Sequence, residues 1–335
     1  MSTIPDTLRE FKNQAQISLE KNLDSADIIK RAHLKINLVE TNTKDVPNIQ
    51  GFSDWKPLSD AVGWYVASNS EGHIILNKLN DRIWVFFTSM RVEDYDKRFD
   101  SWIKNNLRLD NCWIPLGAVE KIGKSMNWKE SGVGLRYENK LADGNYQASI
   151  KIKARYGQSE DVMEDIKPLR DKYPINSVRY FGGDSPIISE WYTDGRITIN
   201  AAADIDSVFE SVWNVSEHYH RELADATKLR DKDRGFFEFK FNRTVDLNRY
   251  SEEAMAGKGN LNMWLLPVET RTDFLRLRGV DLHTWDRVHL DLSTDYAYMT
   301  IPDGCVNAVP RLASIQGENV LGKTRIFYDG NRIFE

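Results

Sequence analysis

The chain has 335 residues, 41% hydrophobic and 28% charged, so it can bury a sizeable core without disulfide staples. Its 45 basic and 50 acidic residues leave a formal charge of −5, which argues against wholesale coating of nucleic acid or anionic membrane but leaves room for a local basic patch. At about 100–200 residues per domain, this length fits two domains or one large domain with appendages.

Ten Trp, thirteen Tyr and fourteen Phe predict a largely aromatic core. Cys112 and Cys305 sit among apolar neighbours without CxxC spacing, so two buried thiols are expected rather than a zinc or disulfide framework. The first ten residues lack the basic start and apolar stretch of a signal peptide. No run reaches the ~18–20 apolar residues of a membrane span. The expected location is the cytoplasm, away from membranes.

Residues 6–37 read as helical. Leu8, Phe11, Ala15 and Leu19 form one stripe, and Ser25 is placed to cap a second helix carrying Ile28, Ile29 and Ala32. The polar segment 40–60, with Pro47, Gly51 and Pro57, reads as a loop. Three strands follow, from Trp64 to Ala67, Ile74 to Leu79 and Ile83 to Thr88, separated by turn chemistry at Asn69 to Gly72 and Asn80-Asp81. Val92, Tyr95, Phe99, Trp102 and Ile103 mark a helix over 92–105, and Pro115 opens another through Ile122.

Strands are expected over 133–138 and 146–155, a helix over 159–172 ending before Pro174, and a meander over 175–200 broken at Gly182-Gly183 and Asp194-Gly195. Ile205, Val208, Phe209, Val212, Val215 and Tyr219 stripe a helix over 204–223. The charged run from Lys228 to Arg234 reads as a connector. A strand from Phe236 to Phe241, a short helix over 248–256 and a β-rich remainder complete the chain.

These elements divide into an N-terminal helical segment over 1–40, an α+β unit over 45–156, a second α+β unit over 157–260 and a β-rich C-terminal region over 261–335. The last two are able to pack as one domain. The fold class is α+β, with antiparallel or mixed sheets and interspersed helices. The sequence contains no internal repeat.

Residues Gly317 to Thr324 match the phosphate-loop pattern, which requires a preceding strand and a following helix. Leu312 to Gln316 fits a strand, but the residues after Thr324 read as two short strands around Asp329-Gly330-Asn331. A turn is therefore expected, and no nucleotide.

A second constellation spans Asp281 to Asp291. A hairpin turning about Asp286 would set His283 opposite His289 and Asp281 opposite Asp291, all on one face. The other face would carry Val280, Leu282, Val288, Leu290 and Leu292. Two imidazoles and two carboxylates so placed could hold a divalent metal, whose bound water could attack an ester. The same pattern also fits the polar outer face of a hairpin packed on a core.

Glu238-Phe239-Lys240 is a further candidate. A carboxylate and a lysine on a strand, with Asp231 or Asp233 upstream, recur in metal-dependent nucleases, and here also fit a solvent-facing strand side. His218 and His220 lie two apart on a helix and cannot easily share a metal.

Residues 121–155 hold eight basic residues against three acidic ones. Within them Lys151, Lys153 and Arg155 line one strand face opposite Ile150, Ile152 and Ala154. Three cations about 7 Å apart suit a phosphate backbone, with Trp128 and Tyr137 as stacking surfaces. Together these features favour a cytoplasmic binding or assembly protein that meets an anionic partner such as nucleic acid, or another protein. The alternative is a metal-dependent hydrolase of nuclease or phosphodiesterase type.

Overall fold

The computed structural model describes residues 4–23, 33–46, 48–49, 51–90, 92–137, 148–153, 168, 173–256, 261–320 and 322–334. They fall into two compact units. The first comprises Met1–Cys112, Ala118–Glu130 and Arg179–Glu217, and the second Trp113–Gly117, Ser131–Val178 and His218–Glu335.

Helix α1 (Leu8–Leu23) starts where Thr7 Oγ1 accepts the Glu10 amide at 3.0 Å, and Asp60 accepts the Leu8 and Arg9 amides at 2.7 and 3.2 Å. These bonds occupy N–H groups that the helix itself leaves unpaired. The second helix expected after Ser25 lies outside the described residues. The end of the segment read as helical is a strand instead, β1 (Leu34–Thr41), buried along its whole length. Its β-branched and apolar residues are claimed on both sides by neighbouring strands, and that pairing outweighs local periodicity.

Strand β2 is Lys56–Pro57. Strands β3 (Trp64–Ser68), β4 (His73–Lys78) and β5 (Ile83–Thr88) form the expected meander. Its turns are held by asparagines: Asn69 Oδ1 accepts the Glu71 and Gly72 amides, and Asn80 Oδ1 those of Arg82 and Ile83. Helix α2 (Val92–Asn105), strand β6 (Leu109–Asn111) and helix α3 (Leu116–Ser125) follow.

Next come β7 (Lys129–Tyr137), β8 (Ala148–Lys153), β9 (Ile175–Gly182), β10 (Ile187–Tyr192) and β11 (Arg196–Ala202). The helix expected over 159–172 lies outside the described residues apart from Pro168. At the β10–β11 turn, Gly195 has φ +78°, and a Cβ there would stand 2.8 Å from the Leu38 carbonyl oxygen.

Helix α4 (Ile205–Asp233) runs through the charged stretch read as a connector. Lysine and arginine are good helix formers, and Lys228 pairs with Asp225 at 2.9 Å. Arg230 Nη1 donates to the Gly304 carbonyl at 2.5 Å, holding the last turns in place. Arg234, at φ 47°, ends the helix.

Strand β12 (Phe237–Phe241), helix α5 (Leu247–Ala256) and strands β13 (Met263–Thr270), β14 (Phe274–Asp281), β15 (Arg287–Ser293) and β16 (Tyr296–Thr300) follow. Helix α6 (Ala308–Val320) occupies the segment read as a strand before the phosphate-loop pattern. Val309, Leu312, Ile315, Gln316 and Asn319 are all buried, a helical spacing that a short window over 312–316 does not reveal. Strands β17 (Thr324–Tyr328) and β18 (Asn331–Ile333) close the chain.

Among the described residues there are two antiparallel sheets. The larger has the order β2-β3-β4-β5-β1-β11-β10-β9-β7-β8, with β6 also on β1. The smaller has the order β13-β14-β15-β16-β12-β17-β18. Both contain the same module. One strand (β1 or β12) is followed by a four-strand meander, then a helix (α2 or α6). A last strand (β6 or β17) then pairs antiparallel with the first. The sequence shows no repeat, yet the topology recurs.

The two modules differ in what covers them. In the first unit, Val39, Leu76 and Phe86 pack on Tyr95, Phe99 and Trp102 of α2. The opposite sheet face packs on α1 and the start of α4, where Phe87 and Phe209 stack at 4.7 Å and 7° and Trp64, Phe11 and Trp213 surround them. In the second unit, Phe237, Phe239, Leu277, Leu290 and Met299 are buried on the side of α6, each contributing about 1.5–3 kcal/mol. The other side of that sheet carries no helix among the described residues.

Candidate nucleic-acid interface

The uncovered face follows from strand alternation. Phe237, Phe239 and Phe241 point inward, so Glu238 and Lys240 point outward. Likewise Leu275 and Leu277 leave Phe274, Arg276 and Arg278 outside, and Ala297 and Met299 leave Tyr296 and Tyr298. Strand register then assembles a row across seven strands: Glu269, Arg276, Asp291, Tyr298, Glu238, Phe327 and Arg332 are successive partners. A second row runs Leu266, Arg278, His289, Thr300, and a third Tyr296, Lys240, Arg325. Partners in a row stand about 4.5–5.5 Å apart at Cβ.

Aromatic rings, cations and carboxylates share this surface. Phe236 meets Tyr298 edge-on at 4.5 Å, and Tyr298 lies 5.2 Å from Tyr296. Lys240 Nζ sits 4.6 Å above the Phe327 ring, and Arg276 lies 5.3 Å from that of Phe274. Arg276 reaches Asp291 through two bonds of 2.9 and 3.1 Å and Glu269 at 3.2 Å, so those carboxylates are already neutralised. Arg278 and Arg325 are exposed and have no carboxylate partner among the described residues. Partial burial, then the charges of Arg278 and Arg287, hold the His289 ring below the ordinary imidazole range. Phe236, Trp264, Leu266 and Val268 are exposed at 51%, 48%, 48% and 59%.

At one end of the face lies an open groove of about 520 Å³. Phe236, Glu238 and Tyr298 line it from the sheet, Lys232, Asp233 and Gly235 from the end of α4, and Tyr328, Asp329 and Gly330 from the β17–β18 turn. Partial desolvation and the Glu238 carboxylate push the Tyr298 phenol up.

The candidate residues scatter across these features. Glu238 and Lys240 share the outer face, 3.4 Å apart. Of their upstream carboxylates, Asp233 lines the groove, while Asp231 pairs with Arg230 at 2.7 Å. His289 and Asp291 also face outward, but Asp281 and His283 do not join them. The hairpin loop is longer than expected: β14 ends at Asp281, and the Asp281 amide donates to the Asp286 carbonyl at 2.9 Å. Trp285, at φ 63°, makes the bend. In consequence His289 faces Arg278, Asp291 faces Arg276, and Val280 sits outside opposite Arg287. Asp281 turns into the core, where it accepts from Arg311 Nη2 at 2.8 Å and from the His283 amide at 2.9 Å.

Lys151 and Lys153 occupy β8, paired with Gly134 and Gly132 of β7. Arg155 lies outside the described residues, as does the Tyr137 side chain. Trp128, expected as a stacking surface, is buried between Tyr180 and Trp191. In the phosphate-loop pattern, Gly317 belongs to the last turns of α6 and Thr324 opens β17. The helix therefore precedes the loop and offers it carbonyl groups, where a phosphate needs amides. Sequence reasoning missed the aromatic half of the open face. The alternation of Tyr296 and Tyr298 with Ala297 and Met299 was its legible signal.

The chain belongs to the MJECL33-like protein family, which matches it over residues 6–317. It is similar to the uncharacterized protein MJECL33 of Methanocaldococcus jannaschii, with 24% identity over an alignment covering 93% of this chain and 92% of that protein. No solved structure matches.

Proposed function

We propose that this member of the MJECL33-like family binds single-stranded nucleic acid through the open face of its smaller sheet. One observation carries the reading: aromatic rings and unneutralised cations share a sheet face whose counterpart in the first unit is covered by α1 and α4. The exposed ring of Phe236 and the half-buried rings of Tyr296, Tyr298 and Phe327 offer stacking surfaces to unpaired bases, and Arg278 and Arg325, with Lys240 beside Glu238, offer charge to the phosphates between them. The overall charge of −5 makes this a local site and limits non-specific adhesion.

Lys151 and Lys153 on β8 are a proposed second contact for the phosphate backbone, together with Arg155. No disulfide joins Cys112 and Cys305, which suits a reducing compartment, and the proposed place of action is the cytoplasm. No helix among the described residues is long and apolar enough to cross a membrane.

The test is fluorescence anisotropy with labelled single-stranded oligonucleotides over a salt series. The logarithm of affinity is expected to fall linearly with the logarithm of salt, by about 0.7 for each phosphate neutralised. Arg278→Glu with Arg325→Glu should weaken binding and flatten that slope. Unchanged affinity in the double variant would remove the reading.

A second reading, a metal-dependent hydrolase, draws on Asp233 and Glu238 lining one groove. Among the described residues the oxygens of Asp233, Glu238 and Asp329 do not come together within 4.8 Å, which favours the binding reading. A rise in melting temperature on adding Mn or Mg, lost in Glu238→Gln, would reverse that preference.

A further inference from the structure

We infer that the groove at Phe236, Glu238 and Tyr298 is a base-reading pocket that prefers guanine. This rests on the nucleic-acid reading above and names what the face selects. The groove volume of about 520 Å³ falls within the ~300–1,000 Å³ of small-ligand sites. Its walls include two aromatic rings, Phe236 and Tyr298, set edge to face at 4.5 Å, so a planar ring entering beside them has an aromatic surface to lie against.

The polar lining decides which ring. Asp233, Glu238 and Asp329 contribute carboxylates, and Lys232 is the one cation among the groove residues. A phosphate is repelled from such a lining, so the backbone belongs over Lys240 and Arg325, which are partners in the next row of the sheet. Carboxylates accept hydrogen bonds and do not donate them. The base admitted is therefore one with donors on its exposed edge.

Guanine presents two adjacent donors, N1–H and the N2 amino group, which match the two oxygens of one carboxylate. Adenine and cytosine present an amino group beside an acceptor. Uracil and thymine present one N–H between two carbonyl oxygens, and those oxygens face the carboxylates unfavourably. Glu238 is the residue placed to read the edge. It stands on the floor of the sheet between Tyr298 and Phe327, its partners on either side, and Lys240 lies 3.4 Å from it.

The experiment uses the full chain and short labelled oligouridines carrying one central G, A, C or U, in ribose and deoxyribose series, read by anisotropy. The G-bearing strand is expected to bind about tenfold more tightly than the all-U strand, in keeping with one bidentate base contact. Glu238→Gln should remove most of that difference, so that the G-bearing and all-U strands bind within about twofold of one another. Circular dichroism and melting of Glu238→Gln check that the sheet is intact. Equal binding of all four strands, or a guanine preference that survives Glu238→Gln, overturns the pocket assignment while the binding reading stands. Failure of every strand to bind overturns both. The two sugar series separate RNA from DNA as the ligand.

Discussion

Arg311 on α6 and Asp281 at the end of β14 form an ion pair at 2.8 Å in which the two side chains are 0% and 2% exposed. The pair fastens the helix to the sheet from inside the second unit. Removing either partner leaves the other's charge buried without this bond. Asp281→Ala or Arg311→Met should each cost about 3–5 kcal/mol in denaturant unfolding. The double variant should cost less than the sum, since no charge is stranded. Additive losses would show that the two do not act as a pair.

Phe209 carries the helix side of the first unit's core. It stacks on Phe87 and also meets Trp64 at 5.9 Å and Trp213 at 5.7 Å. Phe209→Ala should destabilise by about 3–5 kcal/mol, and Phe209→Leu by much less. Near-ultraviolet circular dichroism from the neighbouring tryptophans should report the loss.

His73 sets a pH dependence. It is buried beside Phe11, with ring centroids 6.2 Å apart, and burial holds its pKa below the ordinary imidazole value. The unfolded chain therefore takes up a proton at a higher pH than the folded one. The stability contributed by the neutral ring is complete above about pH 6.5 and is lost as pH falls from there through the lower folded value. Melting temperature should decline over that window, and His73→Phe should flatten the decline.

Gly304 is fixed by its surroundings. Its φ is +88°, and a Cβ there would lie 1.8 Å from Asp286 Oδ2. Gly304→Ala should cost at least about 1–3 kcal/mol from backbone strain alone. Adding Asp286→Gly should recover only the part due to the clash, which separates the two causes.

On the open face, Tyr298→Ala should weaken single-strand binding by about 1–3 kcal/mol, the worth of one stacked base. Tyr298→Phe should keep most of the affinity. A loss in Tyr298→Phe as large as in Tyr298→Ala would assign the effect to the hydroxyl.

The strands and helices were legible where turn residues or a long apolar stripe mark them off. The meander from Trp64 to Thr88 and the stripe from Ile205 to Tyr219 follow simple periods, and both formed as read. Leu34 to Thr41 was not legible, because Leu34, Ile36 and Leu38 alternate with Lys35 and Asn37 over only five residues, too short a run to overrule the helical stripe before it. The site was half legible. Parity along β12 placed Glu238 and Lys240 outward, whereas the hairpin at Asp281 depended on loop length. One left-handed residue, Trp285, moved Asp281 to the opposite side from His289. Which face lacks a covering helix is a matter of tertiary arrangement that no local pattern encodes.

The two modules also place a proline on corresponding border strands: Pro57 in β2 and Pro267 in β13 each lie at the rim of their sheet. Proline has no amide hydrogen to offer an incoming chain, and the β13 ladder is further interrupted between Pro267 and Glu269. Trp264, Leu266 and Val268 are exposed at this margin, where the missing amide and the interrupted register disfavour extension of the ladder by a second molecule. The apolar margin of β13 is therefore exposed to solvent beside a strand edge that proline makes a poor template for pairing.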